Sequence, residues 1–289
     1  MNLYFIGSAL NLSSLYMIAG CGAAISIKSG EFNLGGEGQI YAGGFICAII
    51  LTSLPVPSFV AILLALFAAF FTSALLTFIS YFLKILRNAD FLFTSFIASA
   101  AIIPFIDGLI AGPARSKTDN LLATAFIKDD MKLQSIMPPS PLNLSFVIAI
   151  LLCIIFCYIL FRSSWGRKVR LLGISTEFAE YSGYNRKVLL STSAILSGGL
   201  HGLCGATAIL GTYYTCHSGF YNGIGWNAFS AALIAGANPL LLIPSSIFMG
   251  FITTYSNKFA LYHNFGFDVN SLIQAAILFI IAFPRRSKK

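Results

Sequence analysis

From Leu3 to Ile27 the chain carries no charged side chain, and comparable apolar runs return along its whole length. A helix needs about 20 mostly apolar residues to cross a bilayer, because the hydrocarbon core is ~30 Å thick. Nine segments are candidates: Leu3–Ile27, Ile40–Leu54, Phe59–Leu83, Phe91–Ala111, Leu144–Phe161, Val188–Gly211, Ala228–Ala237, Leu240–Thr254 and Ser271–Phe283. Only 10% of the residues are charged, where a soluble domain carries roughly 25%. The expected fold is an all-α polytopic membrane protein with about nine transmembrane helices, one transmembrane domain over 1–289. The seventh and eighth runs are short and parted only by Asn238-Pro239, a turn signal; they form a re-entrant pair or two thin, tilted helices. The first run lacks a basic n-region and a cleavage site leading into a soluble domain, so it reads as a span rather than a signal peptide.

The net charge is +8, and its placement matters more than its size. With a cytoplasmic C-terminus, nine crossings put the N-terminus outside. The inner side then holds Lys28, Lys84, Arg87, Arg162, Arg167, Lys168, Arg170, Arg186, Lys187, Arg285, Arg286, Lys288 and Lys289, which is 13 of the 18 basic residues. Arg115, Lys117, Lys128, Lys132 and Lys258 fall outside. The positive-inside rule favours this orientation, and it explains the charge as topology control rather than nucleic-acid binding. Two connections are long. Residues 112–143 form the external loop, expected to hold a short surface helix around Leu121–Leu133 and either to meet an external partner or simply to cap the bundle. Residues 162–187 form the cytoplasmic loop. Within it Ser175–Ser182 reads as a short amphipathic helix, capped by Ser175 or Thr176 and stopped by Gly183. It is shaped to enter a groove of another protein or to lie on anionic lipid beside Arg167, Lys168 and Arg170.

Between the first two runs stands Gly30-Glu31-Phe32-Asn33-Leu34-Gly35-Gly36-Glu37-Gly38-Gln39, with two carboxylates, two amides and four glycines. Ionisable groups near membrane depth are costly and point to function; a tight polar turn between spans is the plainer reading. Small residues crowd the later spans, as in Ser197-Gly198-Gly199, Gly202 and Gly205-Ala206, where they permit close helix crossings. His201 lies among them, either lining a path or bonding between helices. The six cysteines show no zinc spacing and no disulfide framework. The chain has no Gly-x-x-x-x-Gly-Lys-[Ser/Thr] loop, no His-Glu-x-x-His and no Gly-x-Ser-x-Gly, so no catalytic constellation stands out.

Phe32-Asn33-Leu34-Gly35-Gly36-Glu37-Gly38-Gln39 resembles the G-x-F-N-[IL]-G-x-E-G-Q signature of bacterial ABC importer permeases. The match is nearest to the purine nucleoside subgroup of the ribose and branched-chain amino acid permease superfamily. Gly166–Asn185 resembles that family's cytoplasmic loop, Ser197–Ala206 its S-G-x-x-A-G-L-A-G-A run, and Gly225–Pro239 its G-x-x-x-I-A-V-A-L-L-G-x-x-x-P run. The order is right and most of the chain is covered. Departures occur at Gly183-Tyr184, where the family often has Gly-Ile, at Ser175 in place of Asn, and at Ala89-Asp90 and Ala98 in place of an Asn-Glu pair and an Asn.

The resemblance implies a membrane subunit, not an enzyme, of an ATP-driven nucleoside importer in the bacterial inner (cytoplasmic) membrane. It implies ABC ATPase subunits that bind ATP and Mg, with no cofactor on this chain. It also implies a second permease, identical or paralogous, and a substrate-binding lipoprotein or periplasmic binding protein. Lipid surrounds the chain, and no nucleic acid is involved. Phe32, Asn33, Gly36, Glu37, Gln39 and His201 become path or signature residues. Gly173, Glu177, Phe178, Glu180, Tyr181, Gly183 and Asn185 become residues coupling to the ATPase. Alternatives are the same importer carrying a simple sugar or branched-chain amino acid, and a stand-alone secondary transporter or channel with Glu31 and Glu37 as coupling carboxylates.

Overall fold

A computed structural model describes residues 2–117 and 120–263 and a few positions between 272 and 279. Up to residue 263 the described residues form ten α-helices: α1 (Leu3–Lys28), α2 (Gly36–Ser53), α3 (Ser58–Arg87), α4 (Phe91–Ala111), α5 (Ser145–Arg162), α6 (Ser164–Ile174), α7 (Thr176–Tyr181), α8 (Arg186–Ala208), α9 (Ile224–Ile234) and α10 (Pro239–Tyr262). Among the described residues there is no strand, only isolated bridges at Ala123–His217 and Ser135–Asn143.

Among the described residues six helices are long and apolar enough to cross a membrane: α1, α3, α4, α5, α10, and α8 with the π-helical turn Ile209–Tyr213 that prolongs it. Two expected spans depart from that form. Helix α2 has 18 residues, but it opens on Gly36-Glu37-Gly38-Gln39, which dilutes its apolar character. Helix α9 has 11 residues and so rises only ~17 Å, about half the hydrocarbon thickness. Its partner α10 is no thin helix, since it continues to Tyr262 over 24 residues after starting on Asn238, which caps it, and Pro239 at its first position. The ninth expected span, Ser271–Phe283, lies outside the described residues.

Burial separates an inner from an outer layer. The apolar windows of α1 and α8 are 83% buried, those of α4 and α5 22%, so α1 and α8 sit at the centre with α2 and α9 packed on them. The outer helices turn large side chains away from the protein, as α3 does with Phe59, Leu63, Phe67, Phe71 and Leu75. Lipid tails are as apolar as leucine, so the inner helices associate by close backbone approach instead. A Cβ on Gly43 of α2 would sit 2.5 Å from the Cα of Gly202 of α8, and one on Gly202 would collide with the Ala69 carbonyl of α3. Three backbones thus meet at two glycines.

The two ends differ. At the basic end, where α1, α3 and α5 finish, Ser163 caps α6 by accepting from Gly166 N–H at 3.0 Å. Helix α6 was not anticipated within 162–187; it buries Val169 and Leu172 beneath exposed Arg167 and Lys168. At the opposite end the helix expected around Leu121–Leu133 does not form, beyond a 3-10 turn at Asp129–Met131. The chain runs extended there because Thr124 N–H and Ile127 N–H donate to the carbonyls of Cys216 and Tyr214, each at 2.9 Å. Ile127 and Met131 are buried by this pairing, so the segment caps the bundle.

Overpacking a backbone crossing typically costs about 1–3 kcal/mol. Gly202→Val is expected to lower the melting temperature of the detergent-solubilised protein sharply. Gly108→Ala, with no atom within 4 Å of the added Cβ, is expected to leave it unchanged.

Candidate functional site

The polar interruption leaves α1 at the basic end and enters the bundle before α2 begins. Residues 30–35 are not helical, and Gly36–Gln39 form the first turn of α2. Asn33 reaches Ser197, which lies 11 residues into α8 and hence ~17 Å along it. The signature is therefore a broken-helix element about half-way through the bundle, not a surface turn. Its freed backbone groups need partners, because a backbone group left unpaired at this depth costs several kcal/mol. Serines supply several: Leu34 N–H donates to Ser95 Oγ at 3.1 Å, Gly38 N–H to Ser99 Oγ at 2.7 Å and Asn33 N–H to Ser26 Oγ at 3.3 Å. Ser73 Oγ donates to the Gln39 carbonyl at 2.6 Å.

Asn33 and Gln39 form a reciprocal amide pair. Asn33 Nδ2 donates to Gln39 Oε1 at 2.9 Å, and Gln39 Nε2 donates to Asn33 Oδ1 at 3.0 Å. Gly35 N–H also donates to Asn33 Oδ1, at 3.0 Å, which fixes that atom as the oxygen. Gln39 Oε1 is then necessarily an acceptor, so His201 Nδ1, 2.9 Å away, carries the hydrogen. His201 thereby bonds between helices, with its Nε2 turned towards Gly36, 3.4 Å from where a Cβ would stand.

The heads of α2 and α9 meet at Gly36 and Gly225. A Cβ on Gly225 would lie 2.8 Å from Glu37 N. Two helix N-termini so close place two partial positive charges together. Glu37 answers both: it is the acidic residue in the first turn of α2, and its Oε1 accepts from Trp226 N–H of α9 at 3.2 Å. Asn33, Glu37, His201, Trp226 and Phe229 enclose a cavity of about 10 Å³, room for one water. Aromatic rings flank it. Phe32 packs edge-on against Phe229 with centroids 6.2 Å apart, and Phe96 lies 6.4 Å from Trp226. Glu31 stands apart, in an ion pair with Lys84 at the basic end rather than beside Lys28.

The cytoplasmic-loop residues form a second cluster. Ser175 caps α7 by accepting from Phe178 N–H at 3.3 Å. Gly183 ends it at φ +77°. Asn185 Oδ1 caps α8 by accepting from Val188 N–H at 3.2 Å. Glu177, Phe178, Glu180 and Tyr181 are all exposed, Tyr181 at 97%, so Phe178 and Tyr181 of α7 find no cover among the described residues. Gly173, also exposed, lies against the end of α1; a Cβ there would strike the Lys28 carbonyl, and one on Gly30 would lie 3.1 Å from Gly173 Cα.

The chain matches the family described as the permease component of the branched-chain amino acid transport system over residues 5–282. It belongs to that family. The permease is 31% identical over 283 residues to the probable riboflavin import permease protein of Treponema pallidum, covering 96% of this chain and 74% of that one. It is 23% identical over 284 residues to the guanosine ABC transporter permease protein of Bacillus subtilis, with 97% and 81% covered. It is 23% identical over 290 residues to the nucleoside ABC transporter permease protein of Lactococcus lactis, with 96% and 79% covered. The permease is a multi-pass membrane protein.

Sequence reasoning missed Ser95, Ser99, Trp226 and Phe229, and read Ser197 only as a small residue at a helix crossing. Ser95 and Ser99 carried a signal, since two serines four apart share one face of an apolar run. Trp226 and Phe229 had none, because the half-length of α9 and its head-on meeting with α2 are long-range facts.

Leaving a buried polar group unpaired costs about 1–3 kcal/mol. Asn33→Ala, which orphans Gly35 N–H and removes both bonds to Gln39, is expected to lower the melting temperature in detergent. Glu37→Gln is expected to preserve it, because an amide oxygen can still accept from Trp226 N–H.

Proposed function

We propose that the permease is the membrane subunit of an ATP-driven importer whose cargo is a nucleoside. The observation that carries this reading is α7, a capped helix whose Phe178 and Tyr181 are exposed at 59% and 97% beside exposed Glu177 and Glu180. Such a knob suits a groove on a partner. The partner is an ABC ATPase that binds ATP and Mg, for this sequence has no Walker loop of its own. The basic end faces the cytoplasm, in accord with Lys28, Lys84, Arg87 and the arginines and lysines of 162–187. A second permease, identical or paralogous, completes the path, and a binding protein, free in the periplasm or lipid-anchored, delivers cargo at the opposite end. The membrane is the bacterial inner membrane.

The geometry supplies a route for coupling. ATPase closure displaces α7 and, with it, α6. Gly173 at the end of α6 lies against Lys28 and Gly30, and Asn33 follows three residues later. A shift of α6 therefore acts on the segment that holds the head of α2, a two-state element biased by ATP on the partner.

Resemblance of the signature to nucleoside permeases and the guanosine and nucleoside relatives support the cargo. Riboflavin is the second reading, favoured by the 31% identity to a riboflavin import permease. Uptake of labelled guanosine and riboflavin into proteoliposomes with all partners present separates the two, and uptake of neither overturns both. For the coupling role, Phe178→Ala combined with Tyr181→Ala is expected to abolish ATPase co-purification while the permease still folds. Undiminished co-purification and transport would contradict it.

A further inference from the structure

The face of the permease that carries Glu37 differs from its other exposed surfaces. Phe32 and Phe96 are 39% and 47% exposed and each pairs with a ring of α9, although Phe96 also continues the exposed stripe of Phe93 and Ile97 on α4. Phe32 pairs with Phe229 at an interplanar angle of 80°, and Phe96 with Trp226 at 58°. Trp226 and Phe229 are three apart on α9 and share a side. Three elements thus bring four rings to one place, next to Glu37 and the imidazole of His201. A half-buried carboxylate half-way through a bundle does not face hydrocarbon; such groups turn to a protein interior or a water-filled path. In the importer reading this face looks into the transport path. The lipid-facing phenylalanines of α3, such as Phe67 and Phe71, have no carboxylate among them.

We propose that Phe32, Phe96, Trp226 and Phe229 form a stacking site for a planar nitrogen heterocycle in transit, with Glu37 accepting from N–H donors on the ring edge. An edge-on ring pair leaves a ring face uncovered by its own partner, so a flat cargo can lie on it. Aromatic stacking is tolerant of ring identity because every base has a π-face. The carboxylate adds a preference for rings with N–H groups, and it keeps acceptor capacity beyond what the backbone N–H groups of Gly223, Gly225 and Trp226 use. The cavity of about 10 Å³ is too small for any such ring, so the site is closed in this conformation and opens when the heads of α2 and α9 part. This inference rests on the importer reading and assigns the cargo-selective residues within it.

The test uses the assembled importer in proteoliposomes and labelled guanosine or riboflavin, whichever the parent takes up. Uptake is expected to fall about tenfold in Phe32→Leu and Trp226→Leu, and to return in Phe32→Tyr and Trp226→Phe, with ATPase co-purification unchanged. Phe96→Leu, at an exposed position, keeps the test readable if a leucine at Trp226 prevents folding. Equal uptake in leucine and aromatic variants, or equal loss in both, overturns the stacking site and leaves the importer reading standing. A parent that takes up free ribose and no heterocycle overturns both.

Discussion

The fold turns on breaking two helices inside an apolar bundle without leaving backbone groups stranded. Unsatisfied N–H and C=O groups in such surroundings cost several kcal/mol each. Side chains meet both breaks. At the head of α2, Asn33, Ser95 and Ser99 take the free N–H groups, and Ser73 donates to the Gln39 carbonyl. At the head of α9, Glu37 accepts from Trp226 N–H. The glycines at 36 and 225 let the two heads meet, and Glu37 offsets the positive ends that the meeting creates. The packing of α1, α2 and α8 follows, because the signature can enter the bundle only where small residues let the backbones approach.

The same interactions divide the labour of the signature. Asn33 and Gln39 brace, each tied to the other, with Ser197 and His201 holding them to α8. Glu37 and Phe32 stand nearer the open face. The segment also lies next to α6 through Gly30 and Gly173, so a push at the basic end reaches it within a few residues. In the importer reading, one short stretch both receives the signal from the ATPase and shapes the path.

Much of this was legible in the sequence. Apolar runs announced α1, α3, α4, α5, α8 and α10, since a span of ~30 Å leaves little freedom in length or composition. The start and stop of α7 were local and showed as Ser175 and Gly183, whereas the cap that Asn185 gives α8 was not read from the sequence. What stayed hidden was long-range. Nothing in Ala228–Ala237 says that its helix starts four residues earlier against the head of α2. The helix expected at 121–133 failed because residues 123–127 find backbone partners near Tyr214 and Cys216, about 90 residues away, which no local periodicity reports. The amphipathic character of α7 was visible, but not that Phe178 and Tyr181 find no cover among the described residues.

The central claim is that the face bearing Glu37 looks into a transport path rather than at lipid. Cysteine accessibility in the assembled importer tests it most directly. A cysteine at Phe32 is expected to react with a membrane-impermeant thiol reagent in one nucleotide state and to be shielded in the other. A cysteine at Phe67, 65% exposed on α3, is expected to react in neither. If position 32 behaves like position 67 in every state, the face is buried in lipid and the account of the site is wrong.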